Sequence, residues 1–214
     1  ENGVIGAMEM LKFVGRPLEN DLILALVSGG GSTLLTLPVP GVSLSELQVV
    51  NERLLLSGAD IHQFNAVRKH LSRVKGGRLA QRLYPARVVS LLLSDVLGND
   101  ESVIASGPLA PDSSTFEYVW ETLDEFRLSE ELPDTVREHL QRGLRGEIAD
   151  NPTGGDRVFR RVESVVVGDN QLAARAALER AKELGFTAQM LTPMLKGEAR
   201  EAALWVVEQA RRAR

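Results

Sequence analysis

The chain has 214 residues, 43% hydrophobic and 25% charged, with a net charge of −4 and an isoelectric point near 5.5. This balance gives no electrostatic case for binding nucleic acid, and the absence of cysteine excludes disulfides, thiolate catalysis and cysteine-built zinc sites. No apolar stretch approaches the ~18 residues needed to span a bilayer, and the N-terminus does not read as a signal peptide, which leaves a cytoplasmic, soluble α/β protein.

The chain opens on Glu1 rather than methionine, which points to a piece of something longer. Val4, Ile5, Met8 and Leu11 recur at helical spacing between Glu1 and Phe13. Leu22 to Val27 reads as a buried strand that runs straight into Ser28-Gly29-Gly30-Gly31-Ser32. Each glycine loses more backbone entropy on folding than other residues, so three in a row suggest a close approach to the backbone. Such a loop is either an anion cradle of converging N–H groups and hydroxyls or a structural strand end. Ser43-Leu44-Ser45-Glu46 has the form of a capping box and opens a helix that Gly58 ends. Further helices are expected at 60–71 and from Gly76-Gly77 onward. Val88 to Leu93 reads as a central parallel strand ending at Ser94-Asp95. A long irregular segment, 96–114, is of the kind that often carries function. Helices follow at 115–126 and 133–143, then a polar, mobile surface loop at 150–156. A strand is expected at 162–167, a helix capped by Asn170, a last strand at 187–191 and a helix at 197–212. Strands alternating with helices argue for an α/β fold, a three-layer α/β/α sandwich with a mainly parallel, Rossmann-like sheet.

Ligands in such sheets gather beyond the carboxyl ends of the strands. Three ends qualify: Ser28–Ser32, Ser94-Asp95 and Gly168-Asp169-Asn170. The first is not a Walker A loop, since no Gly-Lys-Ser/Thr follows. Nor is it a dinucleotide fingerprint, since the third glycine position falls on Leu34. Asp95 can hold Mg²⁺ or orient a hydroxyl, or it can be a turn carboxylate. Ser106-Gly107-Pro108 is a backbone-donor turn or a rigid bend. Asn65, Lys69 and Ser72 share one helical face, joined by Arg68 and Lys75. Lys75 precedes Gly76-Gly77, a helix start suited to phosphate or carboxylate; the alternative is a solvated basic face. His70 reads as a packing or hydrogen-bonding residue, and Asp100 and Asp112 read as solvated loop aspartates.

The blocks Ser28-Gly29-Gly30-Gly31-Ser32, Asn65-Ala66-Val67-Arg68-Lys69-His70-Leu71-Ser72, Lys75-Gly76-Gly77-Arg78-Leu79-Ala80, Ser94-Asp95-Val96 and Val103-Ile104-Ala105-Ser106-Gly107-Pro108 occur in an order that closely resembles the glycerate 2-kinase family with a C-terminal MOFRL domain. Its members are often labelled hydroxypyruvate reductases. The similarity covers essentially the whole chain, and Val167-Gly168-Asp169-Asn170 fits a further block in which the family commonly has serine at the position of Asp169.

The resemblance implies phosphorylation of D-glycerate to 2-phosphoglycerate with ATP and Mg²⁺. By similarity, Gly29–Gly31 hold phosphate or the glycerate carboxylate, with Ser28, Ser32, Asn65, Gly76, Gly77, Ser106 and Gly107 in the binding set. Arg68, Lys69 and Lys75 neutralise developing charge, and Asp95 acts on metal or hydroxyl. Residues 1–214 are then one α/β domain, a partial N-terminal domain lacking the MOFRL domain, which supplies one wall of an interdomain site and is inactive alone. The partners are glycerate and nucleotide, with a homodimer left open. Two alternatives stand beside this: an NAD(P)H-dependent hydroxypyruvate reductase, and a non-catalytic anion-binding or assembly module.

Overall fold

Two apolar runs set the frame. β1 (Leu22–Val27) and β2 (Arg87–Leu93) pair in parallel, with Ile23 opposite Val88 and Val27 opposite Leu92. In this computed structural model, which describes residues 1–212, β3 (Val162–Gly168) completes a sheet of order β1-β2-β3. Ala213 and Arg214, the end of the expected domain span, lie outside the described residues. The α/β fold with a parallel sheet is as expected from the alternation of elements.

The chain divides into two compact units, Glu1–Val167 and Gly168–Arg214. The first carries the sheet with α1 (Asn2–Val14), α2 (Gly31–Leu34), α3 (Leu44–Ser57), α4 (Ile61–His70), α5 (Arg78–Leu83), α6 (Phe116–Glu125) and α7 (Asp134–Leu144). The second carries α8 (Asn170–Glu183) and α9 (Ala199–Arg212). Among the described residues no helix is long and apolar enough to cross a membrane.

The main core of the first unit is helical. Leu47, Val50 and Leu54 of α3 recur every three to four residues, as do Val119 and Leu123 of α6 and Val136 and Leu140 of α7. That period puts each set on one helix face, and the faces close over Val67 and Leu71 at the end of α4. Both helices that bracket the site start with a full capping box, Ser43 with Glu46 and Asp60 with Gln63. A second cluster joins α1 and α5 to one sheet face through Leu79, Leu83, Val88 and Ile23. The opposite face of β1 leaves Leu22, Leu24 and Leu26 exposed, so the strand expected to be buried is covered on one face only.

Three further expectations need correction. Residues 187–191 alternate in exposure as a strand would, but no ladder partner accompanies them and they form no strand. The cap of α8 is Asp169, not Asn170. Asp169 keeps an extended backbone while its carboxylate accepts the Leu172 amide at 2.7 Å, and Asn170 is already helical. The polar loop at 150–156 is not wholly surface, because Asn151 and Pro152 are buried.

Gly143 sits on the inner face of α7, where a Cβ would overlap the Phe116 ring. Alanine is the better helix former by about 1 kcal/mol, yet overpacking a filled core costs about 1–3 kcal/mol. Gly143→Ala should therefore lower stability in a urea melt; a gain would show that the ring can move aside.

Candidate functional site

Parallel pairing of β1 and β2 brings their carboxyl ends side by side, so Ser28–Ser32 and Ser94-Asp95 meet at one sheet edge. The three glycines each have a different reason. A Cβ on Gly29 would meet Asp95 Oδ2 at 2.6 Å, and one on Gly31 would meet Ala105 Cβ at 2.9 Å. Gly30 has φ +80°, which L side chains adopt only under strain. The close approach inferred from the sequence is thus made partly by the protein's own Asp95 and Ala105. Gly29 and Gly30 are exposed, and neither amide donates to another group among the described residues. The Asp95 carboxylate beside them is exposed too.

Ser32 is held from every side. Arg68 donates from Nη1 to its hydroxyl at 2.8 Å and from Nη2 to its carbonyl at 2.7 Å. Lys75 Nζ donates to the same carbonyl at 2.6 Å. The Ser32 and Ser106 hydroxyls lie 2.6 Å apart, and Ser106 donates to Asn65 Oδ1 at 3.1 Å. Since each hydroxyl has one proton, the chain runs in one direction, from Arg68 through Ser32 and Ser106 to Asn65. Ser106 is reached through a 3-10 turn, Ile104–Ser106, in which Ala105 and Ser106 have φ of 52° and 62°. Gly76 and Gly77 brace this turn, their amides donating to the Ser106 and Gly107 carbonyls at 3.0 and 2.7 Å. Those amides are engaged by protein rather than open to an anion.

Burial lowers the Arg68 guanidinium, which stays charged at any working pH. Burial and the nearby Arg68 charge push the Lys75 ammonium down to about 7.

Lys69, although it shares a helical face with Asn65, joins a second network. Its ammonium, 3.2 Å from Asp112 Oδ1, forms a buried ion pair. Asp112 also accepts from Ser114 Oγ and from Asn151 Nδ2, both at 2.8 Å, and Asn151 Oδ1 accepts from Arg78 Nε at 2.6 Å. Burial works to raise the Asp112 carboxyl, but Lys69, Asn151 and Ser114 outweigh it and hold it below the usual carboxylate range. The pair lies in a polar cavity of about 650 Å³, with His62, Ser102 and Tyr118 among its walls. Its volume lies within the about 300–1,000 Å³ that pockets for small molecules and cofactors commonly have.

Asp112 is the residue that sequence reasoning missed. It looked like a solvated loop aspartate, yet it is 5% exposed. Its partner is 43 positions away, and the only local signal was the Ser113-Ser114 hydroxyl pair that follows it. Asn151 and Arg78 were missed for the same reason. His70 behaves as expected: fully buried, it donates from Nδ1 to the Ala66 carbonyl at 2.9 Å, and burial holds it neutral.

Among the described residues no group of three or more His, Cys, Asp or Glu could hold a metal ion. Mg²⁺ is usually held by one or two carboxylates together with substrate phosphates. The single exposed Asp95, beside the exposed Gly29 and Gly30 amides, fits that donor set.

Residues 1–141 match a family described as Domain of unknown function (DUF4147). The glycerate 2-kinase of Pyrococcus horikoshii is 40% identical over 96% of this chain and 46% of its own length. The D-glycerate 2-kinase of Thermotoga maritima is 43% identical with the same coverage. The crystal structure of a glycerate kinase from Thermotoga maritima superposes with a TM-score of 0.81 at 42% identity, covering 97% of this chain and 47% of that one. The chain spans about half the length of the curated relatives it matches.

Asp112→Asn leaves Lys69 buried without its counter-charge, which typically costs about 3–5 kcal/mol. Because the folded carboxyl is depressed, its contribution is present above the unfolded pKa and is lost as pH falls through the folded one. Denaturant melts across pH 2–7 should show an acid limb that is steeper in the native chain than in Asp112→Asn. Superimposable limbs would remove Asp112 as the source.

Proposed function

The chain belongs to the DUF4147 family, and on that premise we propose that it supplies one wall of an ATP-dependent D-glycerate 2-kinase. The observation that carries this reading is the convergence of Arg68 and Lys75 on the Ser32 carbonyl, which fixes a glycine loop with two exposed amides beside the Asp95 carboxylate. Support comes from relatives named glycerate 2-kinase at 40% identity and more across almost all of the chain. Nothing in those names favours the reductase alternative. The reading places the reaction in the cytoplasm.

In the reaction the 2-hydroxyl oxygen of glycerate attacks the γ-phosphorus of ATP. The bond from that phosphorus to the β-γ bridging oxygen breaks, the hydroxyl proton is released, and 2-phosphoglycerate and ADP result. Phosphoryl transfer demands mostly positioning and charge stabilisation, and the residues present suit those tasks. Gly29 and Gly30 offer amides to phosphate oxygens, Arg68 and Lys75 keep the loop in place, and Lys69 presents a buried cation to the larger cavity. Asp95 would hold Mg²⁺, which when bound neutralises phosphate charge. Ser28 has an exposed hydroxyl at the mouth of the loop. Asn65, Ser106, Gly76, Gly77 and Gly107 form the frame behind it.

The test is a coupled assay for ADP release with D-glycerate, with the product identified by NMR, on the protein at the full length of its relatives. Asp95→Ala should reduce kcat by about 100-fold or more, the scale of losing one group that stabilises developing charge, with an unchanged melting temperature because Asp95 is exposed. Full activity in Asp95→Ala, or NAD(P)H loss with hydroxypyruvate in place of ADP release, would overturn the reading. The 214-residue chain alone should show no turnover.

A further inference from the structure

Beside the glycine loop lies a second, smaller cavity of about 130 Å³, which Lys75 and Arg68 line together with Thr33, Thr36, Gln48 and Asn51. We propose that it is the subsite for a short hydroxycarboxylate, with the carboxylate on Lys75 and Arg68 and a ligand hydroxyl on Asn51. This rests on the kinase reading and deepens it by separating the acid from the nucleotide.

Size supports the separation. The cavity is about one fifth the volume of the one beside Lys69 and Asp112, a size that suits a three-carbon acid.

Charge supports it as well. Lys75 is 2% exposed, and no carboxylate faces it. Its ammonium has three donors and gives one to the Ser32 carbonyl; the others meet no acceptor among the described residues. α4 contributes Arg68, another cation, while α2 and α3 contribute hydroxyls, amides and two leucines. A buried pair of like charges without a counterion is a standing site for an anion. The Asn51 side-chain oxygen is buried and accepts no hydrogen bond. A buried acceptor left unmade is costly, and because Asn51 lines the cavity, a turn of its side chain lets a ligand hydroxyl satisfy that oxygen. Carboxylate and hydroxyl together distinguish a hydroxy acid from a simple carboxylate.

Lys75 titrates near 7 in the free protein. A carboxylate beside it favours the charged form, so binding takes up a proton above that pH. Affinity is therefore greatest below pH 7 and falls about tenfold per pH unit well above it.

Calorimetric titration of the 214-residue chain with D-glycerate, propionate and inorganic phosphate tests the assignment. D-Glycerate should bind with proton uptake at pH 8, measured in buffers of different ionisation enthalpy. Asn51→Ala should weaken D-glycerate about tenfold and leave propionate unchanged. Lys75→Met should weaken both and abolish the proton uptake. Because Lys75→Met also loosens Ser32, Asn51→Ala is the deciding variant; circular dichroism checks that each variant folds. D-Glycerate affinity unaffected by Asn51→Ala, or phosphate binding that tracks Asn51, would overturn the subsite. In either case ADP release by the full-length protein leaves the kinase reading standing. Failure of ADP release with binding intact removes the kinase reading alone.

Discussion

Everything at the sheet edge depends on one backbone carbonyl. The Ser32 oxygen accepts from both Arg68 and Lys75, whose like charges repel each other in a part-buried setting. Only a strong local dipole makes that approach tolerable, and the carbonyl supplies it. In return, the two long side chains fix a helix of four residues, α2, that is far too short to hold itself together. The loop's geometry is therefore a tertiary property, set by α4 and by the turn that follows it.

α4 is the element that organises both polar networks. Its ten residues send Asn65 and Arg68 toward the glycine loop and Lys69 toward Asp112. A helix this short would fray alone. It is secured by the capping box of Asp60 and Gln63 at one end and by burial of Val67 and Leu71 at the other. The ordinary apolar core thus sets the precision of two cationic groups, since rigid placement requires a helix that cannot slide. The bridge between Pro38 and Ser72 adds a second tether, joining the segment after α2 to the segment after α4.

The extent to which this was legible in the sequence follows interaction range. Ser43 with Glu46, Gly58 and the strand bounds Leu22–Val27 are local signals, and each of these elements formed where read. Arg68, Lys69 and Lys75 were readable as a group because helical spacing and adjacent glycines mark them. Their division between two networks was not, since it depends on Ser32 and Asp112, which lie 36 and 43 positions away. The same limit made Asp112 look solvated and Asn151 look mobile. Residues 187–191 failed in the opposite way: the local pattern was right, but a strand needs a neighbour, and no pattern within five residues supplies one.

Ala105 adopts a left-handed backbone, and its methyl occupies the space that a Cβ on Gly31 would need. Positions 31 and 105 are therefore one heritable unit rather than two. A methyl can sit on either side of that contact but not on both. A side chain at 31 requires that Ala105 shift or give way to glycine. Glycine at 105 would relax the backbone there while removing the wedge that now keeps the loop in place.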